Sequence, residues 1–430
     1  MNVRVFILLM GLASCTAPDV YDPFLQDAPT EVELAQLRTM WPLPAVPDDP
    51  TNAVDDDPWA AHLGQFIYFE TRLSSNGEVS CASCHPPSSG WADGERLSKG
   101  LGTTGRYAPT VLNSAYNRWQ FWDGRCDTLW CQAVGPIEHP DEMDFDRTAV
   151  AHLIADDPAL SEAYEDVFGE LPNLSDAARF PDHAKPDGEL AEVWSAMRPE
   201  DKHEINVVYS NVGKAIAAFE AQIVMRDAPF DRWTESWLLD EPDGRDALTK
   251  QQVRGLKLFL SDQARCFSCH SGPNFSNGEF HNIGLATPEW GAEGDRGRLR
   301  GILDVRDQLF NGVGPYSDDP DSVRDKLERI ATIGEQVGQF KTPTLRNVEL
   351  TPPYFHLGHV QTLAEVVQHY GEPTSEPEFG HREELLEPLD LDADQQANLA
   401  AFLLSLTGQP LPEALTEQPS DPRYRDSEGR

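Results

Sequence analysis

The segments Cys81-Ala-Ser-Cys84-His85 and Cys266-Phe-Ser-Cys269-His270 decide how this 430-residue chain is interpreted. In a Cys-x-x-Cys-His segment two thiols can add across the vinyl groups of a haem, and the adjacent imidazole can ligate the iron. Zinc is the alternative, but structural zinc sites usually keep their Cys pairs within roughly a few tens of residues of each other. Here 185 positions separate Cys81 from Cys266, and each pair has its own histidine. The motifs therefore predict two covalently bound haem c groups, with His85 and His270 as axial iron ligands.

The N-terminus has the pattern of an exported lipoprotein. Arg4 precedes an apolar run over residues 5–12, which is followed by Ala13-Ser14-Cys15. A basic start, a short apolar core and small residues before the cut are typical of an export signal, and the run is too short to cross a bilayer. Residues 1–15 are thus expected to be a lipoprotein signal, with Cys15 lipidated and the protein held in the periplasm by that lipid. The alternative is ordinary signal-peptidase cleavage nearby.

Two further cysteines, Cys126 and Cys131, lie five positions apart. In an oxidising exported compartment such spare thiols favour a local disulfide. Free buried thiols are the alternative.

The charge balance narrows the range of partners. The chain has 72 acidic and 34 basic residues, a formal net charge of −38. This charge repels nucleic acid and anionic lipid, so the predicted membrane contact is through the lipid anchor only.

The hydrophobic pattern is mostly helical, and strand patterns are sparse. We expect a mainly α protein with two cytochrome c-type domains, at 58–243 and 244–410. A Pro- and Asp-rich tether over 16–57 precedes them, and a loose polar tail over 411–430 follows. Helical spacing predicts helices around Leu63–Ile67 and over Val207–Met225, Val253–Leu260, Leu363–Tyr370 and Asn398–Leu406.

The sixth iron ligand decides whether a haem transfers electrons or binds a small molecule. No methionine follows Cys269, so a ligand from the downstream chain must be another residue type. The downstream candidates are several tyrosines and His281, His356, His359, His369 and His381. Apolar spacing places Tyr370 on the buried face of its predicted helix, where a core tyrosine is the alternative. The loop over residues 86–106 has neither His nor Met, so we expect the first haem to be open.

Four stretches resemble the bacterial di-haem cytochrome c peroxidase and MauG family. They are Leu63-Gly64 with Arg72-Leu73-Ser74 and the first haem motif, Phe121-Trp122-Asp123-Gly124-Arg125, Gln132 through Glu142-Met143, and Pro343 through His356. The resemblance covers about residues 59–408 and implies an active haem in the first domain and an electron-transfer haem in the second.

The family pattern also implies roles for three side chains. Glu142 falls at the position of the distal acid, which can take a proton from one peroxide oxygen and return it to the other. Gln132 falls at the position of a polar neighbour that can hold peroxide or water. Trp122 falls at the position of a tryptophan between the two haems. Without the resemblance, Glu142 is one of many surface acids and Trp122 is a core residue.

The chain departs from the family pattern at several positions. The peroxidase branch usually has a loop histidine that ligates the iron of the first haem (haem 1) and a methionine that ligates the iron of the second (haem 2). This chain lacks both. Tyr370 stands at the methionine position, as a tyrosine does in MauG, and an anionic oxygen ligand favours oxidised iron. The family also implies a calcium ion between the domains. Thr351 and Pro353 match its carbonyl ligands, but Tyr107 stands where an asparagine is usual.

The sequence thus predicts an oxidoreductase that reduces hydrogen peroxide at haem 1, with electrons relayed through haem 2 from a small redox protein such as a cytochrome c or a cupredoxin. One alternative is a MauG-like enzyme that oxidises residues of a partner protein. A further alternative is a lipid-tethered electron carrier without catalysis.

Overall fold

The computed structural model describes residues 28–285, 294–330, 334–371, 377 and 379–424. The predicted signal and Cys15 lie outside them. The described chain is mainly helical, as predicted. Its α-helices are α1 Glu31–Met40, α2 Pro58–Tyr68, α3 Cys81–Cys84, α4 Leu129–Glu138, α5 Arg147–Asp156, α6 Pro158–Phe168, α7 Ala191–Ala196, α8 Pro199–Glu220, α9 Pro229–Leu238, α10 Lys250–Leu260, α11 Arg298–Asp307, α12 Arg324–Glu328, α13 Leu363–Gly371 and α14 Ala393–Leu404.

Strands form a minor part of the described fold. β1 Phe280–His281 pairs antiparallel with β2 Phe340–Lys341, so that Phe280 is opposite Lys341. None of the described helices is both long and apolar enough to cross a membrane.

The first hydrophobic core surrounds α8. α2 and α4 pack along this helix, and the fully buried residues of the core include Trp130, Tyr209 and Phe219. A Cβ at Gly64 would lie 1.8 Å from the carbonyl oxygen of Ala215. A glycine is therefore required where α2 crosses α8, because the two backbones touch.

The second core repeats this arrangement. α10 packs along α14, and a Cβ at Gly255 would lie 1.9 Å from the carbonyl oxygen of Asn398. In both halves, then, the helix that leads to the Cys-x-x-Cys-His segment uses a glycine to contact a later helix. The two halves of the chain therefore share this type of helix crossing.

The boundary between the cores differs from the predicted one at 243/244. Phe230 and Trp233 of α9 are buried in the second core, whereas Met225 belongs to the first. The Pro242-Asp243-Gly244 turn joins two helices of the second core, so the change of core occurs near residues 226–229.

The predicted tether and tail also need correction. Residues 31–40 form α1, whose Leu37 and Met40 are fully buried in the second core. The tail folds back over the first domain: the side-chain amide of Gln65 donates to the carbonyl oxygens of Ala414 and Glu417, at 2.6 and 2.8 Å. Both segments are ordered because they bring apolar side chains or backbone acceptors to a domain surface.

Two of the predicted helices differ from the observed ones at both ends. α8 begins eight residues before Val207 and ends five before Met225, and α14 begins before Asn398 and ends before Leu406. Pro199 at the first turn fixes the start of α8, because proline is well suited to that position. Asp392 caps α14 by accepting from the Gln395 amide.

Candidate active site

The first haem motif is folded so that His85 presents one ring nitrogen outward. Cys81–Cys84 form α3, and Nδ1 of His85 lies 3.2 Å from the carbonyl oxygen of Trp91. The hydroxyl of Tyr68 donates to the His85 carbonyl at 3.0 Å. Burial lowers the pKa of His85, which keeps the imidazole neutral. A backbone acceptor on Nδ1 leaves Nε2 free to ligate iron, as in metal-bound histidines generally.

The second motif has the same local design. Cys266–Ser268 form one short 3₁₀ turn, and Nδ1 of His270 lies 3.0 Å from the carbonyl oxygen of Phe275. Burial lowers the pKa of His270 to about 4. All four motif cysteines are unbonded and partly exposed. The thiols and imidazoles therefore fit covalent haem c, which supplies redox-active iron when bound.

A mainly apolar cavity, hereafter the second cavity, adjoins the second motif. Cys266, Cys269 and His270 line it, and Tyr370 lines it as well. Burial raises the pKa of Tyr370, and the charges of Cys269 and Cys266 raise it further. Tyr370 therefore lies in one cavity with the second motif.

The histidines that compete with Tyr370 for this position differ in their contacts. Nε2 of His369 lies 3.0 Å from the carbonyl oxygen of Ile283. The ring of His356 stacks on Phe340 with centroids 3.6 Å apart, but His356 lines the same cavity as Tyr370, and its Nε2 has no hydrogen-bond partner among the described residues. Tyr370 and His356 therefore both stay candidates for the sixth ligand of the second haem.

Glu142 lies near the first motif. Its charge raises the pKa of Cys81 and Cys84, as do the charges of Glu220 on Cys81 and Asp93 on Cys84, and its side chain is 21% exposed. The loop before it holds its backbone, since the amide of Leu101 donates to the Glu142 carbonyl at 3.0 Å. His139, which sequence reasoning missed, places Nδ1 3.5 Å from Glu142 Oε1. The three-residue spacing between His139 and Glu142 is the sequence pattern that could have indicated this pair.

Gln132 belongs to α4, the helix that precedes Glu142. Its backbone amide donates to Thr128 within this helix. The side chain is partly exposed and has no hydrogen bond to any described residue. It is therefore available to a small polar ligand.

Trp122 lines the cavity beside the second motif, and its Nε1 donates to the carbonyl oxygen of Tyr107 at 2.9 Å. Pro109 lines the same cavity, and its backbone carbonyl raises the pKa of the His85 imidazole by hydrogen bonding. The short segment from Tyr107 to Pro109 thus connects Trp122 and the first motif.

A buried ion cluster fixes the chain next to Trp122. Arg106 donates to both carboxylate oxygens of Asp295 and to Asp123, each at 2.7 Å. These ion pairs lower the pKa of Asp123, against the opposing effect of burial. No local pattern predicts the pairing of Arg106 with Asp295, because 189 positions separate the two residues.

Cys126 and Cys131 form a disulfide with an S–S distance of 2.14 Å. Cys126 precedes α4 and Cys131 lies in its first turn. The bridge thus ties the Trp122 loop to the helix that carries Gln132.

The residues implied for calcium contact one another directly. The hydroxyl of Tyr107 donates to the carbonyl oxygen of Thr351 at 3.1 Å. Within the described residues, no group of three His, Cys, Asp or Glu side chains is placed to hold a metal ion. Calcium at Thr351 and Pro353 stays a prediction that metal analysis can test.

The fold and the paired motifs define a di-haem c-type oxidoreductase, and comparison with known proteins gives its family. The family model for di-haem cytochrome c peroxidase matches residues 58–237. Cytochrome-c peroxidase IdrP2 of Pseudomonas sp. strain SCT is 32% identical over 370 residues, 85% of each chain. The methylamine utilization protein MauG of Methylorubrum extorquens is 31% identical over 396 residues, 91% of this chain and 90% of its own.

A solved structure agrees with this assignment. The crystal structure of a MauG-like protein associated with microbial copper homeostasis is 25% identical, with a TM-score of 0.59 and coverage of 88% of this chain and 99% of the other. The chain belongs to the di-haem cytochrome c peroxidase and MauG family. It is therefore an oxidoreductase of the type that carries two c-type haems and uses peroxide.

Proposed function

We propose that this protein is a periplasmic, lipid-anchored di-haem peroxidase. It reduces hydrogen peroxide at an open haem on Cys81 and Cys84 and receives electrons through a second haem on Cys266 and Cys269. A small redox protein, a cytochrome c or a cupredoxin, supplies the electrons. The main support is the asymmetry of the two motifs: a carboxylate, Glu142, lies near the first, and a phenol, Tyr370, lines the cavity of the second.

The chain's own residues contribute proton transfer and ligand positioning. With a haem held by the first motif, Glu142 would accept a proton from one peroxide oxygen and return it to the other, so that the O–O bond breaks and the second oxygen leaves as water. His139, which is 46% exposed and 3.5 Å from Glu142, would exchange protons between this carboxylate and solvent. Gln132 would hold peroxide by a hydrogen bond. Tyr370 would hold the iron of a haem at the second motif, which would confine peroxide to the first.

Trp122 provides the contact between the two sites. Its indole forms part of the wall of the second cavity, and its hydrogen bond to Tyr107 fixes the ring. An aromatic side chain so held can pass electrons between two redox groups. This role explains why the chain places a large, partly exposed tryptophan there instead of burying it in a core.

A second candidate function is MauG-like oxidation of residues on a partner protein. The position of Tyr370 favours it, because an anionic oxygen ligand stabilises oxidised iron and makes the second haem a poor electron donor. In this case electrons come from the partner's side chains rather than from a soluble carrier.

Visible and EPR spectra of the fully oxidised protein test the proposal. We expect one high-spin signal from the open haem and one low-spin signal from the capped haem. Two low-spin signals would instead identify a non-catalytic electron carrier.

Peroxide titration then separates the two enzymatic candidates. A peroxide-dependent spectral change in the fully oxidised protein supports the MauG-like mechanism. A change that appears only after one-electron reduction supports the peroxidase.

A further inference from the structure

Lys341 stands out among the basic residues of the second cavity. It lines the cavity and belongs to β2, where its backbone amide donates to the carbonyl oxygen of Trp122 at 2.8 Å. Its ammonium group has no acidic partner among the residues that the structure describes, and burial lowers its pKa to about 8.

The neighbouring basic side chains are different. Arg265 and His281 line the same cavity, and each has an acidic partner: Arg265 pairs with Glu387 at 3.5 Å, and His281 with Glu383 at 2.7 Å. Lys341 is half-buried. A cation partly withdrawn from water without a partner costs free energy, so proteins rarely keep one unless something else supplies the negative charge.

The chemistry of the expected occupant supplies that charge. A haem attached to Cys266 and Cys269 carries two propionate carboxylates. The wall of the same cavity contains Trp122, Phe340 and Lys341. Of these three side chains, only Lys341 can bind an anion, and an ammonium–carboxylate hydrogen bond is among the stronger polar contacts in proteins.

We propose that Lys341 binds a propionate of the second haem and that β2 thereby joins this haem to Trp122. The connection is short: the haem carboxylate contacts the Lys341 side chain, and the Lys341 amide is hydrogen-bonded to Trp122. The inference rests on the proposed haem attachment at Cys266 and Cys269 and does not depend on the reaction with peroxide.

The experiment uses the holoprotein with Lys341→Met, Lys341→Arg and the control Lys202→Met. Lys202 is in the first domain, where its Nζ donates to the carbonyl oxygen of Ser195, so the control changes the formal charge equally. Haem content by pyridine haemochrome and the midpoint potential of the second haem by redox titration are measured for each variant.

We expect Lys341→Met to lower the midpoint potential of the second haem and to alter its low-spin EPR signal. Loss of a nearby positive charge stabilises the more positive, oxidised iron. Lys341→Arg restores most of the potential, and Lys202→Met leaves it unchanged. If Lys341→Met does not fold, Lys341→Gln replaces it.

An unchanged potential and EPR signal in a Lys341→Met protein with full haem content would overturn the proposal. An equal shift in Lys202→Met would also overturn it, because the effect would then be one of overall charge. Loss of one haem from the unmodified protein, by contrast, would refute the underlying attachment and thus the proposed function.

Discussion

Glu220, at the end of α8, is the carboxyl group whose ionisation we expect to change the stability of the folded protein most. It is 3% exposed, and its Oε2 has no hydrogen-bond partner. Its neighbours Tyr68 and Cys81 carry no compensating positive charge. Burial alone raises the pKa of Glu220 to about 8, so the carboxyl is protonated in the folded protein at neutral pH.

The size of the effect follows from proton linkage. In the unfolded chain Glu220 titrates near its ordinary pKa of 4.5, so between that pH and about 8 the folded state binds more protons than the unfolded state. Stability therefore falls as pH rises through this window. With about 1.4 kcal/mol per pKa unit, the loss between about pH 5 and about pH 7 is on the order of 2–3 kcal/mol.

Glu220→Gln removes this titration and retains the shape of the side chain. We expect the free energy of unfolding of Glu220→Gln, relative to the unmodified protein, to rise by roughly 2–3 kcal/mol from about pH 5 to about pH 7. Denaturant unfolding at the two pH values measures it, and any fixed packing cost cancels in the comparison. Glu200→Gln on the same helix is the control, because Glu200 is exposed and its pair with Arg198 is solvent-screened. Parallel pH dependences for Glu220→Gln and the unmodified protein would refute the reasoning.

Three further predictions concern the site and its support. Tyr370→Phe is expected to abolish the low-spin spectrum of the second haem, and an unchanged spectrum would assign the sixth ligand elsewhere. Glu142→Gln is expected to slow the peroxide reaction at least ~100-fold with haem content intact, as for loss of a general acid–base group; stopped-flow rates check this, and an unaltered rate would exclude the role. Arg346→Met leaves Asp231 without its bidentate partner, at 2.9 Å to each oxygen, and is expected to cost about 3–5 kcal/mol in denaturant unfolding. The exposed pair of Arg324 with Asp321 is its control, where loss should cost less than about 1 kcal/mol.

The haem motifs and their neighbouring helices were the most predictable part of the molecule. A Cys-x-x-Cys-His segment carries its own local geometry, because the histidine follows the second thiol directly and its Nδ1 meets a carbonyl a few residues later. The helical position of Tyr370 was equally readable, since apolar spacing alone placed it on the inner face of α13. In both cases the signal lies within about ten residues.

Features that depend on contacts between distant parts of the chain could not be predicted from the sequence. The segment containing α1 is rich in proline and acidic residues at its edges, which is typical of a linker, yet Leu37 and Met40 are buried against a core formed hundreds of residues later. The tail is polar, but it docks through backbone carbonyls, which every sequence has. The boundary was misplaced for a related reason: a Pro-Asp-Gly turn marks the end of a helix, whereas a domain boundary depends on which core that helix joins.

The unpredicted contacts are those that connect the two haem sites. Arg106 reaches Asp295 across the chain, and β2 of the second half donates to the carbonyl of Trp122 in the first. Each half of the chain has a complete core of its own. Neither Cys-x-x-Cys-His motif by itself determines the distance to the other motif. Contacts of this kind join the two halves of the chain and hold the backbone at Trp122. A change at Arg106 or Lys341 should accordingly alter communication between the sites while leaving both haems attached.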